Sequence, residues 1–138
     1  MNLTAVRNEL KSAIILGGIS KVYTYVPEKP QPLCAIIEPD TDFITVYENQ
    51  YDADYASNWK VLVIVPFATN ETETENLDDT LETLIPAMWE YTSASKLNVD
   101  KPFILEVNNA RFLATNINIS IIKISYYGIF KLTRCRIL

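Results

Sequence analysis

From Leu3 onward the apolar positions Val6, Leu10, Ala13 and Ile14 recur at helical spacing, with Arg7, Asn8, Lys11 and Ser12 on the other side, which predicts an amphipathic helix. Asn2 or Thr4 can cap its start, and Gly17-Gly18 supplies the left-handed residue that commonly ends a helix. Its apolar stripe reads as a core face, because the polar face carries too little positive charge for a membrane anchor. Val22, Tyr23, Thr24, Tyr25 and Val26 are β-branched or aromatic and predict a strand. Pro27, Pro30 and Pro32 then remove three backbone donors and hold the residues before them extended, so the connection is expected to be exposed and rigid. The apolar residues 33–37 predict a second strand closed by Glu38-Pro39, and Phe43, Ile44, Thr45, Val46 and Tyr47 a third short one. Residues 48–57 are acidic and carry Tyr51 and Tyr55 without a clear period, as in an exposed loop or a loosely paired edge ribbon. Residues 59–67, Trp-Lys-Val-Leu-Val-Ile-Val-Pro-Phe, are the most hydrophobic run and predict the central strand, buried on both faces, with pairing ending at Pro66.

Helical spacing returns at Leu77, Leu81, Leu84, Ile85 and Met88, predicting a second helix that begins between Asn70 and Asn76 and reaches Trp89 and Tyr91. Glu71, Glu73, Glu75, Asp78 and Asp79 suit the positive end of its dipole, Thr72 with Glu75 matches a capping box, and Pro86 is expected to kink it or loosen its bond to Glu82. Residues 92–100 read as a connection. Residues 103–107 and 111–121 then form a hairpin around Asn108-Asn109-Ala110, with Leu113, Thr115, Ile117, Ile119 and Ile121 on one face. Residues 123–138 are apolar, aromatic and basic, as in a strand that finishes the sheet or reaches a neighbour. This order predicts an α+β fold, two helices packed on one face of a mostly antiparallel sheet, in a single domain over residues 1–138 with 122–138 as a C-terminal extension.

Composition narrows the chemistry. A chain of 138 residues suits one domain, and its longest apolar run, residues 61–68, falls far short of the roughly 20 residues that cross a membrane. Arg7, Glu9 and Lys11 interrupt the apolar residues at the amino terminus, so no secretory signal is read there and assembly in a cytoplasm is expected. In that setting the glycosylation sequons at Asn2, Asn70 and Asn118 carry no meaning. The sequence has no histidine, which excludes histidine triads and imidazole metal sites, and its 3 glycines cannot build a phosphate-cradling loop. Cys34 and Cys135 read as reduced, buried small hydrophobes. The acid pairs Asp40 with Asp42 and Asp52 with Asp54 lack any companion nucleophile or cofactor cradle, and they read as solvated loop acids. No enzyme activity, cofactor or metal is expected.

The net charge of −5 argues against capture of nucleic acid. Its distribution is uneven. Between Glu38 and Glu82 Lys60 is the only basic residue among many acids, whereas after Glu106 come Arg111, Lys123, Lys131, Arg134 and Arg136 with no acid at all. The asymmetry is either satisfied within one folded molecule or makes opposite faces of identical subunits attract one another. On the second reading Lys131, Arg134 and Arg136 are interface residues. Tyr47, Tyr51 and Tyr55 are either interface material, offering large contact area at low entropic cost, or decoration of a sheet edge.

The amino-terminal helix ending at Gly17-Gly18, followed by Val22-Tyr23-Thr24-Tyr25-Val26-Pro27-Glu28-Lys29-Pro30-Gln31-Pro32 and the apolar residues 33–37, resembles the tail terminator proteins of long-tailed (siphovirus-type) bacteriophages. The strand at residues 59–65, the helix from Leu77-Asp78-Asp79 to Trp89 and the strand opening with Arg111-Phe112-Leu113-Ala114 extend the resemblance over most of residues 1–121. It implies a homohexameric ring in the virion that caps the head-proximal end of the tail tube and offers a surface to the neck or head-closure protein, without catalysis or cofactor. DNA would only pass through the lumen, which acids such as Glu71, Glu73 and Glu75 would line or turn toward the tube. Such a ring needs a heterologous contact between unlike surfaces. The stiff connection carrying Tyr25, Pro27, Pro30 and Pro32 is expected at or near a subunit or neck contact, because a segment with few conformations loses little entropy on docking. The alternatives are another neck component, such as a head-closure protein, a minor tail subunit, or a small non-viral interaction domain.

Overall fold

The computed structural model describes residues 3–48, 53–66 and 70–123. In chain order the elements are α1 (Leu3–Leu16), β1 (Lys21–Tyr23), β2 (Cys34–Glu48), β3 (Ala53–Ile64), α2 (Asn70–Glu90), β4 (Ala94–Val99), β5 (Phe103–Val107) and β6 (Ala110–Lys123). The strands form one six-stranded sheet in the order β1-β2-β3-β6-β4, with β5 also paired to β6. All pairings are antiparallel except β1 with β2. Both helices pack on one face: Val6, Leu10 and Ile14 of α1 and Leu77, Leu84 and Met88 of α2 share one core with Ala35, Ile37, Trp59, Val61, Val63, Ile117, Ile119 and Ile121. The expected α+β architecture is therefore the observed one.

Local chemistry explains where α1 stops. Gly18 adopts φ 108°, its N–H donates to the Ile15 carbonyl at 3.1 Å, and the Ile19 N–H reaches back to the Ile14 carbonyl at 3.3 Å. That pair of bonds is a Schellman cap, closed by apolar Ile14 and Ile19 in the same core. Gly17 serves packing: a Cβ there would stand 2.8 Å from Leu84 Cδ1 and 3.1 Å from Leu84 Cα, so its bare backbone lets the two helices touch.

Several strand boundaries differ from the expectation. β1 ends at Tyr23, since a parallel partner requires the chain to return to the level of Cys34 before β2 begins, and residues 24–33 make that return. Glu38-Pro39 does not close β2. Beyond Ile36 β2 has no partner on its β1 side among the described residues, an edge position that tolerates proline, and the strand absorbs the disturbance as a register shift between Pro39 and Ile44 with Asp42 at φ 54°. The two short strands expected at 33–37 and 43–47 are thus one. Residues 53–57 are neither loop nor edge, because Tyr55, Ala56 and Ser57 pair with β2 on one side and β6 on the other.

β3 is central, as its sequence predicts, and residues on both of its faces are buried. α2 begins at Asn70, which places Thr72 and Glu75 inside the helix where they cannot form the expected capping box. The helix also runs on through Pro86, where Glu82, whose carbonyl the ring leaves free, is exposed to water. β4 occupies the stretch read as a connection. A register shift between Ala94 and Lys96 puts Ala94 and Leu97 into the same core at an odd spacing, which erases the period-two signal. The Asn108-Asn109 hairpin is as expected: φ values of 50° and 67° make a two-residue type I′ turn.

Candidate assembly surfaces

The segment between β1 and β2 projects its apolar side chains outward. Tyr25 and Val26 are each 67 % exposed, while Pro27, Pro30 and Pro32 are half-buried. Two contacts brace it from within: the Tyr25 ring meets Tyr23 edge-on at 6.1 Å, and Lys21 Nζ donates to Gln31 Oε1 at 3.0 Å across the base. Glu28 stands exposed two residues after Val26.

A second apolar surface lies on β2 and β3. Trp59 is its inner limit: fully buried, it takes Phe43 edge-on at 4.9 Å, carries the Arg7 guanidinium 5.0 Å above its ring, and donates from Nε1 to Ser57 Oγ at 2.9 Å. Ser57 Oγ in turn donates to the Ile121 carbonyl at 3.4 Å, so both polar atoms are satisfied. Arg7 Nε is buried and has no hydrogen-bond partner among the described residues. Outward from Trp59 the pairs Ile44 with Ser57 and Val46 with Tyr55 place their side chains on the same face as Trp59, the face that carries the helices. The helices do not cover them there. Ile44 is 43 %, Val46 56 % and Tyr55 37 % exposed. Sequence reading did not single out Ile44 and Val46, because alternating β-branched residues look the same on a core face and on an uncovered one. Tyr47 lies in β2 opposite Asp54, with its side chain outside the described set. Tyr51, Lys131, Arg134 and Arg136 also lie outside the described residues.

The three candidate acids of α2 separate. Glu71 and Glu75 are exposed, as are Asp78 and Asp79, whereas Glu73 is only 6 % exposed. Glu73 falls four residues before Leu77, on the stripe continued by Leu84 and Met88, so it faces the core side and presents no charge to solvent.

The helix-free face of the sheet divides in two. Around Cys34, Ile36, Ile64 and Ala114 it is apolar, covered by Tyr23, Leu62, Phe103, Leu105 and Phe112. Burial there pushes the Cys34 thiol up to about 11, against a smaller opposite pull from Lys21, so the thiol is protonated and unreactive at neutral pH. Toward the outer end the face turns polar around a recess of about 500 Å³ that Asp40, Asn58, Asn98, Asp100 and Asn118 help to line. Its side chains bond to one another across four strands. Asn58 Nδ2 donates to the Asp42 carbonyl, Ser120 Oγ donates to Asn58 Oδ1, and Asn118 Nδ2 donates to Asn98 Oδ1 and Asp100 Oδ1. Lys60 meets Asp40 at 3.6 Å. Among the described residues no three of Cys, Asp and Glu converge as metal ligands. Much of the polar lining of the recess is thus engaged in bonds within the sheet.

No family model and no curated protein matches this chain. Among solved structures a similar chain comes from the virion of a native gene transfer agent particle, at 16 % identity and a TM-score of 0.45, over 88 % of this chain and 95 % of that one.

Proposed function

We propose that this chain is a structural virion protein of a long-tailed phage, and specifically the tail terminator. Six copies close into a ring that ends the tail tube and receives the neck or head-closure protein. The reading has no catalytic step and no cofactor. It draws its specificity from the sequence resemblance over most of residues 1–121. The observation that carries it physically is the pair of unlike exposed apolar surfaces, Tyr25 with Val26 on one segment and Ile44, Val46 and Tyr55 on another. Closed rings of identical subunits require two different surfaces that fit each other, whereas a two-fold dimer requires one surface that fits itself. Exposed Glu71, Glu75, Asp78 and Asp79 give α2 an acidic side suited to a lumen through which DNA slides without being held. Glu73 has no part in that role.

Native mass spectrometry of the full chain, together with image reconstruction of the particle that contains it, tests this. Six-fold density at the junction of tube and neck is the expected result. A chain that remains monomeric at high concentration and is missing from that junction would overturn the reading.

A further inference from the structure

We propose that the contact between neighbouring copies is made by the Tyr25-Val26-Pro27-Glu28 segment of one copy lying on the Ile44, Val46 and Tyr55 strip of the next, with Glu28 meeting Arg7. The inference rests on the ring reading and adds to it which two surfaces join. Three observations converge. The strip is apolar and, among the described residues, uncovered, and its directly opposed residues Val46 and Tyr55 make a continuous surface across two strands. At its inner end stands Arg7, partly exposed, with its guanidinium held 5.0 Å over the Trp59 ring. A surface of this kind calls for an apolar partner that brings an acid.

The β1–β2 connection has that composition: Tyr25 and Val26 are the most exposed apolar side chains it offers, and Glu28 is exposed beside them. An arginine stacked on an aromatic ring keeps the edge of its guanidinium available for a carboxylate, so one bond would satisfy the charge at the strip while Tyr25 and Val26 cover Ile44 and Val46. The connection is also braced in the single chain by the Tyr23–Tyr25 and Lys21–Gln31 contacts, so docking orders little that is not ordered already. Both surfaces stand exposed in the single chain, and because they are unlike, a contact between them propagates from copy to copy until the ring closes.

The test uses the full chain in its assembled state. Val26→Asp removes the connection's surface and Val46→Asp removes the strip, and each variant alone is expected to be a folded monomer. Mixed together they are expected to give a one-to-one dimer that grows no further, because each retains the surface the other lacks. Independently, a photo-crosslinking residue at position 46 is expected to label the 24–28 segment, and isotope mixing should show that the label joins two copies. A ring that survives either aspartate variant overturns this contact and leaves the ring reading standing, as does an adduct at position 46 to residues 124–138 or to another protein. A wild-type chain that never associates and gives no adduct overturns both.

Discussion

Along the β2–β3 ladder, Ala35 and Ile37 opposite Val63 and Val61 lie under α1 and α2, whereas Ile44 and Val46 opposite Ser57 and Tyr55 continue the same face of the ladder into solvent. Both halves are rich in β-branched residues, and in both β2 is paired with β3. What separates them is the layer above. Each strand is long enough to outrun the helices, and the part that outruns them keeps the side chains of a core without the cover of one. At 43 % and 56 % exposure Ile44 and Val46 bury much less of their surface than Ala35 and Ile37 do, and the proposed ring gives the remainder a use.

The covered half is where substitutions should cost most. Trp59→Ala removes the ring that Phe43 and Arg7 pack against and leaves Ser57 Oγ without its donor, and a loss of about 3–5 kcal/mol in urea unfolding is expected. Val63→Ala, at a fully buried site, should cost about 2 kcal/mol. If the two cost no more than a surface change, the division between covered and uncovered halves is wrong.

The close approach of the helices that makes the cover is tested at Gly17. Gly17→Ala pushes a Cβ to 2.8 Å of Leu84 Cδ1 and 3.1 Å of its Cα, and the second of these is backbone that yields only by moving α2. A loss of about 1–3 kcal/mol in the same unfolding measurement is expected.

How much of this was legible beforehand follows the same division. α1, the central strand and the Asn108-Asn109 hairpin each declare themselves through a period or a turn residue, and each stands where expected. β4 and the continuity of β2 through Pro39 were not readable, because a bulge in each breaks the alternation on which strand reading depends. The candidate surfaces were half legible. Tyr25 and its prolines announce themselves by chemistry, but Ile44 and Val46 matter only because no helix lies over them, and the reach of a helix over a sheet is a tertiary fact. Glu73 failed in the opposite direction: a run of alternating acids looks solvated throughout, while helical geometry turns one of them toward the core.

Cys34, on the helix-free side of the inner half, reports the dryness of that half through pH. Its folded pKa, pushed up to about 11, lies above its ordinary value of 9.0, because burial disfavours the thiolate. The stability linked to the protonated thiol is therefore present in full below pH 9 and is lost as pH rises toward 11, where the unfolded thiol has ionised and the folded one has not. Thermal unfolding at pH 8 and pH 10.5 should show the wild type losing more than Cys34→Ala, with tyrosines and lysines contributing equally to both. Equal losses would mean that water reaches the thiol and that this half is less closed than its packing indicates.

The smallest expected effect on stability bears most directly on the comparison. Val46→Ala deletes the same two methyl groups as Val63→Ala, yet Val46 is 56 % exposed, so unfolding of the single chain should change by about 0.5 kcal/mol or less. Measured on the assembled protein, the same substitution should weaken association, since there the valine is covered by a neighbour and its methyl groups leave water. The contrast between the two states isolates what the strip is for. A loss at Val46 as large as that at Val63 in the monomer would place a cover over the outer half within one chain, and the two halves of the ladder would then be alike.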